Sequence, residues 1–387
     1  MNDNITPYVR YIGADDKDLD LFESQYVVPQ GISYNSYVIT DEKIAVMDTI
    51  DQRKTEEWTV RLEEALEGRT PDYLIVQHME PDHAANIGWF AEKYPEATIV
   101  ASAKAIQMMP QFFEEVNFAG RTQTVKEGDT LCLGQHTLKF IMAPMVHWPE
   151  VMLTYEESEK ILFSADAFGK FGALCHEGEW IARRYYFNIV GKYGAQVQAL
   201  LKKAAGLDIA MICPLHGPVL KENLGYYIGL YDTWSKYEPE TEGVVVAYAS
   251  IHGNTAAAAR RMAEILSEKG ATEVMLIDLC RDDMALAVES AFRYSKMIVA
   301  ASSYDAGVFP PMFDFLHHLQ IKNFQKRRVG IIENGSWAPT AGRMMSCMLS
   351  EMKNMEIMEH MVTIKSSMKK ADLLQMEELA EELLATE

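Results

Sequence analysis

The alternation of apolar and polar positions changes in character near residue 243. Before this point, short apolar runs are separated by polar turns and helical stretches in an irregular order. After it, apolar runs of four or five residues alternate regularly with helical segments, which predicts consecutive βα units and a parallel sheet. The polar segment 236–242 has the composition of a linker. At 387 residues the chain is also longer than one ordinary core. We therefore predict two domains, residues 1–242 and 243–387.

The pattern of the first domain predicts a two-sheet αββα sandwich flanked by helices. Its predicted elements are a hairpin of strands 33–39 and 43–47, a helix at about 53–68, a strand at 73–76, a helix from Ala84, a strand at 97–100, a helix from Ala103, several short strands within 121–165, helices to about 204 and a strand at 209–213.

The second domain is predicted to be a doubly wound, five-stranded parallel sheet. Its predicted strands are 244–248, 274–277, 297–300, 329–332 and a last strand near 360–363, with a final helix at 373–384. In sheets of this kind, ligands bind at the carboxyl ends of the strands.

Composition and charge restrict the class of protein. The net charge of −20 makes nucleic acid and anionic membranes poor partners. The chain lacks an apolar run of about 18 residues and an N-terminal signal pattern, so we expect neither a transmembrane helix nor a signal peptide. One basic run, 321–328, is interpreted as a solvated loop rather than as a docking site for an acidic redox partner.

The cysteine pattern indicates a reducing compartment. Five cysteines are scattered without a Cys-x-x-Cys pair, which predicts reduced, mostly buried thiols in a cytoplasmic protein and no appended rubredoxin module. They are Cys132, Cys175, Cys213, Cys280 and Cys347.

The candidate chemistry of the first domain begins just after the strand 73–76. His78, Glu80, Asp82 and His83 place four potential metal ligands within six residues, too many in this spacing for one metal to use them all. The spacing suits two metals held side by side, each taking part of the set.

Three further ligands follow other predicted strands. His147 follows the strand 138–142, Asp166 ends the strand 161–165, and His216 follows the strand 209–213. Four imidazoles and three carboxylates without a thiolate form a hard to borderline ligand set. A carboxylate such as Asp166 can bridge two metals, so the sequence predicts a dinuclear metal centre.

The candidate chemistry of the second domain lies in three loops after its strands. Small hydroxyl residues and backbone amides at a helix N-terminus can bind a phosphate without Lys or Arg. The first loop has this character and opens an alanine-rich helix, and the two later loops could flank a flat aromatic ring, so we predict an FMN site. The predicted residues are Ser250, Ile251, His252, Gly253, Asn254 and Thr255 of the first loop, Ser302, Ser303, Tyr304, Asp305, Ala306 and Gly307 of the second, and Asn334, Gly335, Ser336 and Trp337 of the third.

Together these motifs resemble the flavodiiron proteins, in which a metallo-β-lactamase-like diiron domain precedes a flavodoxin-like FMN domain. The resemblance covers essentially the whole chain and includes the segments 143–149, 166–169 and 214–217 in the same order. Zinc hydrolases of the metallo-β-lactamase superfamily have a third His where this chain has Glu80. A carboxylate there adds negative charge and favours iron over zinc.

The resemblance implies the roles of the residues and the partners. It assigns His78, Glu80 and His147 to one iron, and Asp82, His83 and His216 to the other, with Asp166 bridging. Members of the family reduce dioxygen to water, nitric oxide to nitrous oxide, or both, with electrons passed through FMN from rubredoxin or a similar small carrier. The implied assembly is a head-to-tail homodimer or a dimer of such dimers.

Two departures from the family pattern concern substrate preference and flavin tuning. Many relatives have a Tyr in the third flavin loop, where this chain has Asn334-Gly335-Ser336-Trp337, and many have a pocket His where this chain has Glu23. Two alternatives stay open from the sequence. One is a dizinc hydrolase of the same αββα fold with an accessory flavin domain, and the other is an electron carrier whose metal site is vestigial.

Overall fold

The computed structural model describes residues 4–174 and 179–385, and its chain divides into two compact units. The first comprises Met1–Tyr186 and Ala195–Asp232, and the second comprises Phe187–Gly194 and Thr233–Glu387. The second unit thus takes in residues that the sequence pattern grouped with the first domain. The reason is local packing. The ring of Phe187 stacks on Phe292 at 4.3 Å, and Arg327 Nη1 donates to the carbonyl oxygen of Tyr237 at 2.8 Å.

The first unit contains two main sheets and two short hairpin-like sheets. Its strands are β1 (Val9–Tyr11), β2 (Ala14–Asp16), β3 (Leu21–Phe22), β4 (Tyr26–Val27), β5 (Ile32–Tyr34), β6 (Tyr37–Thr40), β7 (Ile44–Met47), β8 (Tyr73–Val76), β9 (Thr98–Ser102), β10 (Thr122–Val125), β11 (Thr130–Cys132), β12 (Thr137–Met142), β13 (Met152–Glu156), β14 (Ile161–Phe163) and β15 (Met211–Cys213). Its helices are α1 (Thr55–Leu66), α2 (Pro81–Ala84), α3 (Ile87–Lys93), α4 (Ala103–Phe112), α5 (Glu179–Tyr185), α6 (Gly194–Ala204) and α7 (Leu224–Ser235), the last two crossing the boundary between the units.

The two main sheets form the predicted sandwich. One has the order β1-β6-β7-β8-β9-β10 and the other β11-β12-β13-β14-β15. Alternating side chains of both sheets meet in one core, with Met47, Ile75 and Val100 from the first sheet and Phe140 and Phe163 from the second. β7, β8 and β9 are parallel to one another, as are β14 and β15, so polar residues that follow them collect at common sheet edges.

Some predicted element limits in the first unit are wrong. The strand expected over 33–39 is broken, and β5 and β6 belong to different sheets. Asn35 interrupts it because its side chain donates to the carbonyl oxygens of Pro214 and Gly217, at 2.8 and 2.7 Å. The helix expected from Ala84 starts earlier as the one-turn α2 and resumes as α3. The helix α1 ends at Leu66 because Glu67 adopts a left-handed conformation, with φ of 51°.

The second unit contains a flavodoxin-like parallel sheet. Its strands are β16 (Thr241–Ala249), β17 (Val274–Asp278), β18 (Tyr294–Tyr304), β19 (Gly307–Val308), β20 (Arg328–Asn334), β21 (Glu356–Ile357) and β22 (Val362–Ile364), and its helices are α8 (Asn254–Glu268), α9 (Met284–Arg293), α10 (Pro310–Ile321), α11 (Ala341–Ser350) and α12 (Lys370–Leu384).

The strand order is β17-β16-β18-β20, and two short strands, β21 and β22, share the fifth position beside β20. The single last strand predicted from the sequence is thus two segments. The helices α8 and α12 pack through one cluster on the sheet, which includes Met262 and Leu379. The ligand-binding edge of this topology lies at the carboxyl ends of β16, β18 and β20, where the predicted flavin residues are. Ser302, Ser303, Tyr304 and Asn334 are the last residues of β18 and β20, however, and not loop residues as predicted.

The interpretation of the basic run 321–328 as a solvated loop is wrong. Lys322 and Arg327 are buried, and Lys322 Nζ donates to the carbonyl oxygen of Asn188 at 2.6 Å. The guanidinium of Arg327 donates to five carbonyl oxygens, among them those of Tyr294 and Phe292 at 2.7 and 2.5 Å. The positive charges therefore hold the start of β20 in place and do not form a free basic surface.

The described cysteines and helices can be compared with the sequence-based expectations of buried thiols and of no transmembrane helix. All four described cysteines are free, but only Cys213 is buried, while Cys132 and Cys347 are exposed on β11 and α11 and Cys280 is half-buried. The expectation of mostly buried thiols is wrong for these four, and Cys175 lies outside the described residues. Within residues 4–174 and 179–385, no helix has the length and apolar character needed to cross a membrane.

Candidate metal centre and ligand cavity

The structure brings all seven predicted metal ligands together at the edge of the sandwich. His78 follows β8, Glu80 immediately precedes α2, and Asp82 and His83 lie within it. The other three lie in loops: His147 between β12 and β13, Asp166 after β14 and His216 after β15. Their potential ligand atoms form two groups, and within each group these atoms lie within 4.8 Å of one another.

The first ligand group contains His78, Glu80, His147 and Asp166. The Nε2 atoms of His78 and His147 lie 3.3 and 3.1 Å from Glu80 Oε2. The same two nitrogens lie 3.3 and 3.0 Å from Asp166 Oδ2. Two imidazoles and two carboxylates therefore enclose a space of the size that one metal ion occupies.

The second ligand group contains Asp82, His83 and His216. The Nε2 atoms of His83 and His216 lie 3.4 and 3.2 Å from Asp82 Oδ2. Asp166 faces this group with its other oxygen, because His83 Nε2 lies 3.2 Å from Asp166 Oδ1. The two oxygens of Asp166 thus face different ligand groups, which is the geometry of a bridging carboxylate.

The donor set fits a pair of metal ions. Six of its buried nitrogen and oxygen atoms have no hydrogen-bond partner in the part of the chain that is described: both oxygens of Asp82, both ring nitrogens of His83, Nε2 of His147 and Oδ1 of Asp166. Buried polar atoms are normally hydrogen-bonded, so a cluster of exceptions requires an explanation. Convergence of these atoms on the two groups identifies them as candidate metal ligands.

The electrostatics of the cluster agree with this reading. Burial lowers the pKa of His147, but the nearby carboxylates of Asp166 and Glu80 outweigh burial and raise the pKa to about 9. Burial raises the pKa of Asp166, but the imidazoles of His78 and His83 lower it well below its ordinary value. Opposite charges thus face each other in the first ligand group, and a metal ion bound there would take the place of an imidazole proton.

Several residues near this cluster carried no signal in the sequence. Glu150 Oε1 lies 2.8 Å from His78 Nδ1, and the carbonyl oxygen of Ser33 lies 2.8 Å from His216 Nδ1. Both contacts join residues far apart in the chain. The ring of Tyr185 lies 5.6 Å from that of His216, and its buried hydroxyl has no hydrogen-bond partner among the residues described.

Glu23, singled out from the sequence, lies in the turn between β3 and β4 with a left-handed φ of 49°. The ring of its neighbour Phe22 packs against that of His216 at an interplanar angle of 84°, with ring centroids 5.3 Å apart. Burial and the carboxylate of Glu80 raise the pKa of Glu23. The carboxyl group of Glu23 thus lies close enough to the first ligand group for the charge of Glu80 to affect its pKa.

The second unit has a cavity of about 550 Å³ at the carboxyl ends of β16, β18 and β20. Fourteen of the sixteen predicted flavin residues line it, the exceptions being Gly253 and Gly307. Gly253 instead sets the start of α8, with a left-handed φ of 89°. Ala338, Thr340 and Ser366 also line the cavity, although no pattern in the sequence predicted them.

Hydrogen bonds between loops shape this cavity. Thr255 Oγ1 and Ser302 Oγ lie 2.9 Å apart and join the first loop to the second. Ser303 Oγ accepts from the backbone nitrogens of Thr340 and Ala341, at 2.8 and 3.1 Å, and joins the second loop to the third. Trp337 is 91% exposed at the rim, so an aromatic face is available to a flat ligand.

Sequence comparison places this chain among known relatives. Residues 32–217 match the family described as ODP family beta lactamase. The chain is 31% identical to an uncharacterized protein of Methanocaldococcus jannaschii over 80% of each protein. It is 29% identical to the anaerobic nitric oxide reductase flavorubredoxin of Aliivibrio fischeri, over 87% of this chain and 70% of that protein.

Structural comparison extends the likeness to the whole chain. The rubredoxin oxygen:oxidoreductase of Desulfovibrio gigas superposes with a TM-score of 0.92 at 25% identity, over 98% of this chain and 97% of that one. The flavodiiron protein of Giardia intestinalis has the same fold, with a TM-score of 0.90 at 24% identity and coverage of 99% and 96%.

Proposed function

Because this chain belongs to the flavodiiron protein family, we propose that it reduces dioxygen to water, nitric oxide to nitrous oxide, or both, at a non-haem diiron centre. The similarity to flavodiiron and flavorubredoxin relatives indicates that the chain is an oxidoreductase. Its individual substrates and cofactors are what we propose. The observation that carries it is the convergence of seven ligands into two groups that share Asp166.

We assign the first ligand group to one iron and the second to the other, with Asp166 bridging. Each iron would have two imidazoles and one carboxylate of its own, a hard to borderline set that suits iron. Irons held by these residues would supply redox chemistry and a binding position for the diatomic substrate. The protein residues orient the irons, and the neighbouring apolar rings Phe22 and Phe171, which contact each other at 5.6 Å, help to exclude water.

We assign FMN to the cavity of the second unit. Its phosphate would lie on the first loop, where α8 presents free backbone N–H groups and the loop offers neutral hydroxyls. The isoalloxazine would lie between the second and third loops. FMN held there would supply one-electron chemistry between an external donor and the diiron centre, and we propose rubredoxin or a similar small carrier as the donor.

The proposed functional domains are residues 1–242 for iron and 243–387 for FMN. We further propose a cytoplasmic head-to-tail homodimer, or a dimer of such dimers, in which the FMN of one chain serves the irons of the other. The dizinc-hydrolase alternative is not favoured, because the chain matches a rubredoxin oxygen:oxidoreductase over nearly its full length.

Metal and flavin analysis tests this proposal directly. Purified protein from iron-sufficient cells is expected to hold about two irons and about one FMN per chain, with little zinc. Reduced protein mixed anaerobically with O2 or NO in a stopped-flow instrument should be reoxidised by at least one of them, and the ratio of the rates gives the substrate preference. Active protein that holds two zinc ions would contradict the redox assignment.

The flavin site has its own test. The double substitution Ser250→Ala and Thr255→Ala removes two hydroxyls of the first loop. That of Ser250 accepts from the backbone nitrogen of Gly253, and that of Thr255 hydrogen-bonds to Ser302. Each lost hydrogen bond costs roughly 0.5–1.5 kcal/mol, so FMN affinity should fall roughly 5- to 150-fold while iron stays bound. Fluorescence titration of the flavin-free protein measures this affinity.

The matched control for that experiment lies at the other edge of the same unit. Ser267 at the end of α8 and Thr272 before β17 are exposed hydroxyl residues whose hydrogen bonds go to backbone carbonyls. Replacing both with Ala should leave FMN affinity unchanged. Equal affinity in the Ser250/Thr255 variant would place the flavin elsewhere.

A further inference from the structure

The two ligand groups differ in the hydrogen-bond partners of their outer imidazole nitrogens, the Nδ1 atoms. Every imidazole directs Nε2 at the carboxylates of the centre, as the short distances from these atoms show. The outer nitrogen of His78 faces the carboxylate of Glu150 at 2.8 Å, whereas that of His216 faces the neutral carbonyl oxygen of Ser33 at 2.8 Å. The outer nitrogen of His83 has no hydrogen-bond partner among the described residues. A charged outer partner thus contacts the first ligand group and neither imidazole of the second.

Glu150 is held in place by the protein rather than by solvent. Its side chain and that of His78 are both 0% exposed. Glu150 Oε1 also accepts from the backbone nitrogen of Met79 at 2.8 Å, and its carbonyl oxygen accepts from Ser102 Oγ at 2.7 Å. These contacts attach Glu150 to Met79, in the segment after β8, and to Ser102, the last residue of β9. Its negative charge is therefore fixed and weakly screened.

The ligands themselves do not distinguish the two positions. Each ligand group has two imidazoles and one carboxylate of its own, and Asp166 gives one oxygen to each. A carboxylate that accepts a hydrogen bond from the outer nitrogen of a ligating His increases the basicity of that imidazole and fixes its orientation. A neutral carbonyl oxygen has the weaker effect of the two, because it carries no net charge.

We propose that Glu150 is a positioning residue that makes the two metal positions unequal. Through His78 it gives the first ligand group the tighter hold on its metal and the lower reduction potential, and the second ligand group releases its metal first. The identity of the metal as iron rests on the proposed function. The inequality of the two positions is a property of the residues and can be tested with another metal.

Cobalt(II) titration of the metal-free protein provides the test, because its absorption bands report each ion that binds. The wild-type chain should bind two ions in two resolved steps. In Glu150→Gln the amide oxygen can still accept from His78 and Met79, so the variant removes charge with little change in shape. The tighter step should weaken roughly 10- to 100-fold, and the weaker step should stay unchanged.

Asp41→Asn is the matched control. Asp41 Oδ2 lies 2.7 Å from Nδ1 of His136, and both side chains are at most 4% exposed, so this is the same kind of buried pair. It precedes β7, at the sheet edge opposite to the ligands that follow the parallel β8. Both cobalt steps should be unchanged in this variant. In iron-loaded protein, a redox titration followed by EPR should show a raised potential for the second electron, which enters the first ligand group, in Glu150→Gln but not in Asp41→Asn.

A second measurement needs no variant. Anomalous diffraction from wild-type crystals that hold about one cobalt per chain should place the ion in the first ligand group. An ion in the second ligand group would overturn the proposal, and so would equal weakening of both steps, or of neither, in Glu150→Gln. A wild-type chain that binds only one cobalt ion would instead contradict the dinuclear centre, and with it the proposed function.

Discussion

Replacing Asp166 with Ala is expected to abolish reduction of both O2 and NO while leaving FMN bound. The side chain of Asp166 faces both ligand groups, with Oδ2 3.0 Å from His147 Nε2 and Oδ1 3.2 Å from His83 Nε2. Its loss removes a ligand from each proposed iron and the bridge between them. Loss of an outer partner alone costs about 10- to 100-fold in activity, so turnover should fall by at least about 100-fold.

Iron content, flavin content and turnover should be measured on the same preparation. The control is Asp41→Ala, which removes another buried carboxylate that contacts an imidazole, at the opposite edge of the sheet. That variant should keep its iron and its turnover. Wild-type turnover in Asp166→Ala would show that the bridging assignment is wrong, whereas joint loss of iron and FMN would indicate that the variant does not fold.

Mixing two inactive variants is expected to restore about a quarter of wild-type activity if FMN and iron act across the proposed dimer. One partner is Asp166→Ala, with a working flavin site and no working irons. The other is Ser302→Asp, which sets a carboxylate beside the phosphate loop, because Ser302 Oγ lies 2.9 Å from Thr255 Oγ1. A phosphate dianion would be repelled there, while the irons of that chain stay intact.

The expected recovery follows from random exchange of subunits. About half of the dimers would then be mixed, and each mixed dimer would hold one working flavin and one working iron pair. Turnover should be compared before and after exchange, with exchange itself followed by mass spectrometry of differently tagged chains. No recovery in a sample whose chains have exchanged would exclude transfer between chains, because transfer within a chain leaves every dimer inactive.

Local patterns in the sequence were sufficient for the fold class and for the candidate ligands. The apolar strand 73–76 and the ligands that follow it are adjacent in the chain, so their relation was visible without tertiary information. His147, Asp166 and His216 were predictable for the same reason, since each closely follows an apolar strand. In the second unit, the residue composition around the carboxyl ends of β16, β18 and β20 identified fourteen of the residues that line the cavity.

Local patterns failed where a distant residue decides the conformation. The strand expected over 33–39 is broken because Asn35 bonds to the carbonyl oxygens of Pro214 and Gly217, about half the chain away. The basic run 321–328 resembled a solvated loop because charge normally indicates exposure. Arg327 is nevertheless buried, because five carbonyl oxygens compensate its guanidinium.

The sequence by itself determined which side chains of this protein can ligate metal or surround a flavin, because those side chains are set by residue type and by position after a strand. The tertiary structure alone decided how the ligands divide, which oxygen of Asp166 faces which group, and which imidazole receives a charged partner. Glu150 and His78 are 72 residues apart, and Ser33 and His216 are 183 apart. Contacts over such separations leave no periodic signal, because they arise only when the two sheets pack and bring their strand ends to one edge.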